Sequence, residues 1–313
     1  MSARGWLLFA SMSVIWGVPY MFIKIAVDEL SAGFVAWSRV AMAAAILLPI
    51  AWRTGALRGL SLRWLVAFAF VEITIPFPLI AFGEEALSSS LTAILIAAVP
   101  LMVAFLALRF DHSERPTRTR LVGMLVGLTG VTVLVGIDVV GSTEELIGAA
   151  AILVATMGYA AGPMIVKNRF AAADPIGPIA GALGIATLLL LPAALPGLPT
   201  KAPSGDVLAS MLVLGFVCTA IAFLIFFRLI TEVGPGRATV ITYVNPVVAL
   251  ALGVAILGES VTAGAVVGLL LILAGSWLST DGRLPPGLGE RVRGLFGERH
   301  EAPGPARTQE LRA

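Results

Sequence analysis

A lone carboxylate interrupts the long apolar stretch WLVAFAFVEITIPFPLIAF, which runs from Trp64 to Phe82. Glu72 lies near its middle, and a charged carboxylate at the centre of a bilayer is energetically costly. Such residues normally face the interior of a helix bundle or an aqueous cavity. We interpret Glu72 either as a group that binds substrate or carries a proton, or as a structural carboxyl that is protonated or paired with Arg39.

Two prolines follow Glu72 within the next two helical turns. Pro76 and Pro78 have no N–H to donate to the carbonyls of Glu72 and Thr74. We therefore expect the helix to bend here and to present free carbonyl oxygens beside the carboxyl group.

Pro100 and Pro246 are two further candidates for helix breaks. Interrupted helices at corresponding positions of two halves are a sequence pointer to a transporter site. Thr242, Tyr243 and Asn245 offer hydrogen-bonding groups beside the second of these prolines. The alternative is that both prolines only shape their helices and contact no ligand.

Arg39 is the cation deepest inside an apolar segment. It could pair with Glu72 or hold a substrate carboxylate through two parallel hydrogen bonds. Lys24, near the end of the first apolar segment, is expected to extend to the lipid headgroups. Trp16 and Tyr159 offer aromatic surfaces to a ligand, with ordinary packing as the alternative.

The composition identifies the elements that must position these side chains. Of 313 residues, 58% are hydrophobic and 13% are charged, whereas soluble domains are about 25% charged. So few charges cannot cover a soluble fold of this length, which indicates an integral membrane protein. A single cysteine, Cys218, excludes an internal disulfide, and His112 and His300 are too far apart in the sequence to suggest a metal site. We expect no metal and no cofactor.

Ten apolar stretches have the length of about 20 residues that a membrane-spanning helix requires. A β-barrel would show alternating strands instead, so the predicted fold is all-α, a polytopic membrane protein with ten transmembrane helices. The predicted spans are 5–27, 33–52, 63–83, 87–108, 120–137, 146–166, 176–196, 207–230, 236–257 and 263–280.

Positive charges are concentrated at alternate ends of these spans. Eighteen of the 21 Lys and Arg residues fall on one side if the N-terminus is cytoplasmic, as the positive-inside rule requires. We predict a multi-pass protein of the bacterial inner membrane with cytoplasmic N- and C-termini. Residues 281–313, rich in Pro, Gly, Arg and Glu, are predicted to form a disordered cytoplasmic tail.

The two halves of the chain resemble each other. ERPTRTRLVGMLVGLTG, from Glu114, parallels ESVTAGAVVGLLLILAG, from Glu259. These matches predict two repeats, residues 1–137 and 138–280. Because each repeat has five spans, the second must be inverted relative to the first, an arrangement common in secondary transporters. Glu114 and Glu259 are interpreted as helix caps or as parts of a gate.

These motifs together resemble the EamA-type members of the drug/metabolite transporter superfamily over residues 5–280. Asn245 departs from the family pattern, because many members carry a glutamate before this proline. The residues that carry the resemblance are Ile15, Trp16, Gly17, Lys24, Arg39, Pro100, Glu114, Arg115, Gly123, Gly130, Asn245, Pro246, Leu257, Gly258 and Glu259.

The resemblance implies a secondary active transporter that moves a small metabolite, an amino-acid-like compound or a drug by alternating access, driven by a proton or substrate gradient. Its expected partners are the small-molecule substrate and the lipid bilayer, not nucleic acid; monomer and homodimer both stay open. The alternatives are an exchanger of sugar phosphates or nucleotide sugars from the same superfamily and, from other classes, a membrane enzyme or a channel. No hydrolase, metalloprotease or P-loop motif supports an enzyme.

Overall fold

A computed structural model describes residues 2–110, 117–139, 141–233 and 241–279, and within these ranges all regular elements are helices. Eight of them are long and apolar enough to cross a membrane, and two shorter apolar helices follow. The predicted all-helical membrane fold is confirmed at this level. The tail predicted at 281–313 lies outside the described residues.

We number the ten apolar helices α1 to α10, and four of them are composed of consecutive parts. The helices are α1 (Ala3–Gly17 and Pro19–Val27), α2 (Ala32–Arg53), α3 (Leu62–Ala69, Phe70–Thr74 and Pro76–Ala86), α4 (Ser89–Ile96 and Val99–Phe110), α5 (Arg118–Asp138), α6 (Thr143–Arg169), α7 (Ile176–Ala194), α8 (Gly205–Leu212, Val213–Ile221 and Ala222–Val233), α9 (Ile241–Leu257) and α10 (Ala263–Ser279).

Hydroxyl side chains mark the starts of many helices. Each accepts a hydrogen bond from a backbone N–H of the first turn, which would otherwise lack a partner. The capping residues are Ser2, Ser31, Ser88, Thr117, Ser142 and Ser204.

The middle of α3 is a π-helical segment, Phe70–Thr74. The N–H of Ile75 donates to the carbonyl of Phe70 at 3.0 Å, one residue further back than in an α-helix. Pro76 and Pro78 directly follow and supply no N–H, so the wider turn lies where the backbone ladder is interrupted. The distortion centres on Glu72, as a π-bulge at a functional position often does.

The other helix-break candidates differ from one another. In α4 one helical part ends at Ile96 and the next begins at Val99, just before Pro100. By contrast, α9 continues through Pro246, so this proline breaks no helix, contrary to its selection as a break candidate. A proline inside a helix removes one backbone hydrogen bond, and in a membrane bundle the neighbouring helices can support the chain at that point.

Glycines allow the closest helix contacts. A Cβ atom on Gly130 would lie 2.8 Å from the backbone nitrogen of Ile272, and one on Gly268 would lie 2.9 Å from Leu134 Cβ. The backbones of α5 and α10 can approach this closely only because both positions lack side chains.

Contacts between helix ends define two ends of the bundle. At one end, Ser2 donates to Glu232 at 2.6 Å, joining the start of α1 to the end of α8. At the other end, the Thr262 hydroxyl donates to Asp138 Oδ2 at 2.7 Å, joining the approach to α10 with the end of α5. Both contacts join ends that the charge distribution assigned to the same side of the membrane.

Candidate functional site

Arg39 projects from α2 into the bundle and uses only a small part of its hydrogen-bonding capacity. Its Nε donates to Thr219 Oγ1 at 2.8 Å, and its guanidinium carbon lies 4.4 Å from the centre of the Phe77 ring. No other hydrogen bond from Arg39 reaches an acceptor among the described residues, and the side chain is half-buried. The outer fork of the guanidinium therefore remains free to bind an anionic group.

The partner of Arg39 is positioned by a second π-helical segment, Val213–Ile221 in α8. Thr219 donates its own hydroxyl hydrogen to the carbonyl of Leu214 at 2.8 Å, five residues earlier. Because that hydrogen is already used, the oxygen lone pairs are oriented to accept from Arg39. Sequence analysis did not single out Thr219.

Glu72 lies against a glycine of α6 rather than against Arg39. A Cβ atom at Gly162 would overlap a Glu72 carboxylate oxygen, so the glycine provides the space for this side chain. Glu72 Oε2 is buried and accepts no hydrogen bond from the described residues. The ion pair with Arg39 that the sequence suggested as one alternative is not formed in this structure.

Tyr159 of α6 lies within electrostatic range of both Arg39 and Glu72. It packs against the apolar residues of α2 and α3 and interacts electrostatically with Arg39, Glu72 and Tyr20. Tyr20 itself interacts with Arg39. Four polar side chains from four helices are thus each within electrostatic range of another member of the set, which we call the central cluster: Tyr20, Arg39, Glu72 and Tyr159.

Trp16 and Asn245 join the first helix to the rest of the bundle. The Trp16 ring packs 4.7 Å from that of Phe226, centre to centre, and edge-on to Phe223. In the amide orientation that gives both the oxygen and the nitrogen of the Asn245 side chain suitable partners, the nitrogen donates to Ser13 O at 3.1 Å. These contacts agree with the packing alternative.

In that orientation the same Asn245 nitrogen also donates to Ile241 O at 2.9 Å, so both of its hydrogens bond to backbone carbonyls. Thr242 and Tyr243 are half-buried in the first described turn of α9.

Lys24 does not extend towards lipid headgroups, so that expectation is wrong. Its Nζ donates to the backbone carbonyls of Glu84 at 2.6 Å and Leu87 at 3.0 Å. These carbonyls end α3, where a cation is favoured by the helix dipole and by the unsatisfied C=O groups. Satisfying them inside the bundle outweighs the hydration of the ammonium group at the surface.

Glu259 caps a helix of the other half of the chain. Its carboxylate accepts from the backbone N–H groups of Ser89 at 2.7 Å and Ser90 at 3.1 Å, and from the Ser90 hydroxyl. A carboxylate at a helix N-terminus is stabilised by these donors and by the dipole. Gly258, with φ of 68°, makes the turn before it, and Gly253 leaves room for the carboxylate. The capping interpretation of Glu259 is confirmed, whereas Glu114 lies outside the described residues.

A cavity of about 320 Å³ opens beside this cap. We call it the acidic vestibule, because the carboxylates of Asp138, Glu145 and Glu259 line it together with Ser88 and Ser90. Among the described residues, no group of three His, Cys, Asp or Glu side chains has the arrangement of a metal site.

The sequence is similar to families and proteins described as transporters. The model of the EamA-like transporter family matches residues 3–136 and, separately, residues 146–280. The inner membrane transporter YedA of Escherichia coli K12 is 29% identical, over 82% of this chain and 83% of its own. An Archaeoglobus fulgidus transporter is 24% identical, over 88% of this chain and 98% of its own. A probable amino-acid metabolite efflux pump of Salmonella typhimurium is 25% identical, over 90% of this chain and 96% of its own.

A protein of known crystal structure has the same fold. It matches with a TM-score of 0.62 at 17% identity, over 93% of this chain and 99% of that chain.

Proposed function

Because the chain belongs to the EamA-like transporter family and is therefore a transporter and not an enzyme, we propose that it is a secondary active transporter of small amino-acid-like metabolites or drugs. It works by alternating access in the bacterial inner membrane. The relatives named as an inner membrane transporter and as a probable amino-acid metabolite efflux pump support this assignment.

The observation that carries the proposal is the free guanidinium fork of Arg39. An arginine within a transmembrane bundle is costly unless its hydrogen bonds are used, yet only Nε has an acceptor among the described residues. A substrate carboxylate would complete the arrangement with two parallel hydrogen bonds. Phe77 covers one face of the guanidinium, which leaves its edge for the ligand. Tyr20 and Tyr159 are near enough to interact with the same charge.

An inverted repeat would supply the alternating movement. The family model matches each half of the chain separately, and both π-helical segments lie in the third helix of a half, α3 and α8. With five helices per half, the second half enters the membrane in the opposite sense. Two similar halves can then exchange conformations around a shared site. Both chain termini lie in the cytoplasm in this arrangement.

A proton gradient is the proposed driving force, with Glu72 as the proton-carrying group. Its Oε2 is buried and accepts no hydrogen bond from the described residues, and intramembrane carboxyls of this kind often belong to proton pathways in transporters. Tyr159 interacts with both Glu72 and Arg39. Proton binding can therefore be coupled to the affinity for the substrate.

An exchanger of sugar phosphates or nucleotide sugars would need more positive charge. Among the described residues, the bundle interior offers Arg39 and Lys24, and Lys24 already binds two backbone carbonyls. One free cation suits a monocarboxylate better than a phosphate ester with close to two negative charges.

Ligand stabilisation and counterflow test this function together. We expect at least one amino acid from a panel of the common twenty to raise the melting temperature of the purified protein, and its amide derivative to have no effect. Vesicles loaded with that amino acid should then accelerate uptake of the radiolabelled compound, with a rate that saturates. Equal stabilisation by acid and amide would refute carboxylate recognition, and non-saturating flux without acceleration would indicate a channel.

A further inference from the structure

A second carboxyl group, Glu84, is buried in the same helix as Glu72 and has no role in the site described above. Its side chain is 0% exposed, and both carboxyl oxygens lack a hydrogen-bond donor among the described residues. The adjacent Glu85 is exposed. Leaving a buried carboxyl group without donors is costly.

Charged and polar groups from the surrounding elements converge on this carboxyl group. From α1, the Lys24 ammonium binds the backbone carbonyl of Glu84 at 2.6 Å, and Tyr20 interacts with its side chain. Arg39 of α2 and Glu259, which precedes α10, also act on it electrostatically. Glu84 is therefore held between two cations and another carboxylate.

The helices α6 and α4 contribute uncharged side chains to this region. On the α6 side, the apolar side chain of Ile152 closes tightly on Gly83. On the α4 side, the hydroxyl oxygen of Ser89 is also buried and has no hydrogen-bond partner among the described residues. A second unsatisfied polar group therefore lies at the start of α4, where Glu259 forms its cap.

The acidic vestibule begins directly beyond Glu84. The cavity is lined by Ala86 and Leu87, which lie two and three residues after Glu84, and by Ser90 and Glu259. Because the Glu259 carboxylate both lines the vestibule and caps α4, release of the cap would remove the barrier between vestibule water and the buried carboxyl group.

In the opposite direction, Glu84 lies within electrostatic range of the central cluster. Its charge acts on Tyr20, and the charge of Arg39 acts on Glu84.

We propose that Glu84 is a second proton-binding group of α3, which exchanges its proton with the acidic vestibule. When the Glu259 cap opens, a hydronium ion in the vestibule gives one proton to a Glu84 carboxylate oxygen. One O–H bond of the hydronium breaks, an O–H bond forms at Glu84, and a water molecule is left; the reverse step returns the proton. Lys24, Arg39 and Glu259 set the charge that the proton meets. This inference rests on the proton-driven transport proposed above.

Infrared difference spectroscopy of the full chain in lipid films tests the inference without a substrate. The pH of the bathing buffer is varied, and the carboxylic acid C=O band is recorded in H₂O and D₂O. We expect wild type to show a pH-dependent band that shifts in D₂O. One component should be lost in Glu84→Gln and retained in the control Glu85→Gln. If Glu84→Gln does not fold, Glu84→Asp should shift that component instead.

Two spectral results would overturn the inference: a spectrum unchanged in Glu84→Gln, or a Glu84 component that does not respond to pH. Failure of the proposed function has a different signature. If the Glu84 band titrates but wild-type vesicles accumulate no amino acid under a pH gradient, the driving force is wrong and Glu84 remains a proton-binding site. If accumulation occurs, Glu84→Gln should reduce it to the level without a gradient.

Discussion

Replacing Arg39 with Gln is expected to weaken binding and transport of carboxylate substrates strongly while leaving the fold intact. A charge-assisted hydrogen-bond pair contributes about 1.5–3 kcal/mol, so we expect a loss of affinity of about 10- to 100-fold. Arg39→Lys should recover only part of this, because an ammonium group cannot bind both carboxylate oxygens in the same plane or keep the Nε bond to Thr219.

The measurement is the shift in melting temperature that a stabilising amino acid produces in each variant. Arg63→Gln is the matched control, because Arg63 lies at the start of α3 with its guanidinium 5.0 Å from the centre of the Trp64 ring, away from the central cluster. Undiminished ligand stabilisation in a folded Arg39→Gln protein would remove Arg39 from the substrate site.

Replacing Glu72 with Gln is expected to separate exchange from proton-driven accumulation. The amide has the shape of a protonated carboxyl group, so the space against Gly162 stays filled, but it cannot release a proton. Counterflow between equal amino acid solutions needs no net proton movement and should continue. Accumulation driven by a pH gradient should fall to the level seen without the gradient.

The experiment compares both rates in the same vesicle preparation. Glu85→Gln, an exposed change in the same helix, should leave both unchanged. If Glu72→Gln accumulates substrate as wild type does, with the same pH profile, Glu72 is a structural carboxyl and the proton is carried elsewhere.

The all-helical membrane class could be predicted from the sequence because lipid imposes length and apolarity on every membrane-spanning segment. The distortion near Glu72 could also be anticipated, since Pro76 and Pro78 visibly remove backbone donors. The π-helical segment of α8 could not, because VLGFVCTAI contains no proline and resembles any apolar helix.

The side chains that sequence analysis missed lie where burial depends on contacts between distant helices. Glu84 and Glu85 look alike as adjacent acids at the end of an apolar stretch, yet one is buried and the other exposed. Lys24 was misassigned for the same reason, as its carbonyl partners come from α3. The sequence did contain a signal that Tyr20 could belong to the site. Trp16, Tyr20 and Lys24 are spaced four residues apart and therefore share one side of a helix.

The most direct test of the whole account is the sidedness of three single cysteines introduced into a Cys218→Ser background. With two five-helix halves of opposite sense, Ser2→Cys and Ala313→Cys should react with a membrane-impermeant maleimide only in inverted vesicles. Gly141→Cys, between the halves, should react only in spheroplasts. Reaction of Ser2→Cys and Ala313→Cys from opposite faces of the membrane would contradict the inverted arrangement and the alternating mechanism built on it.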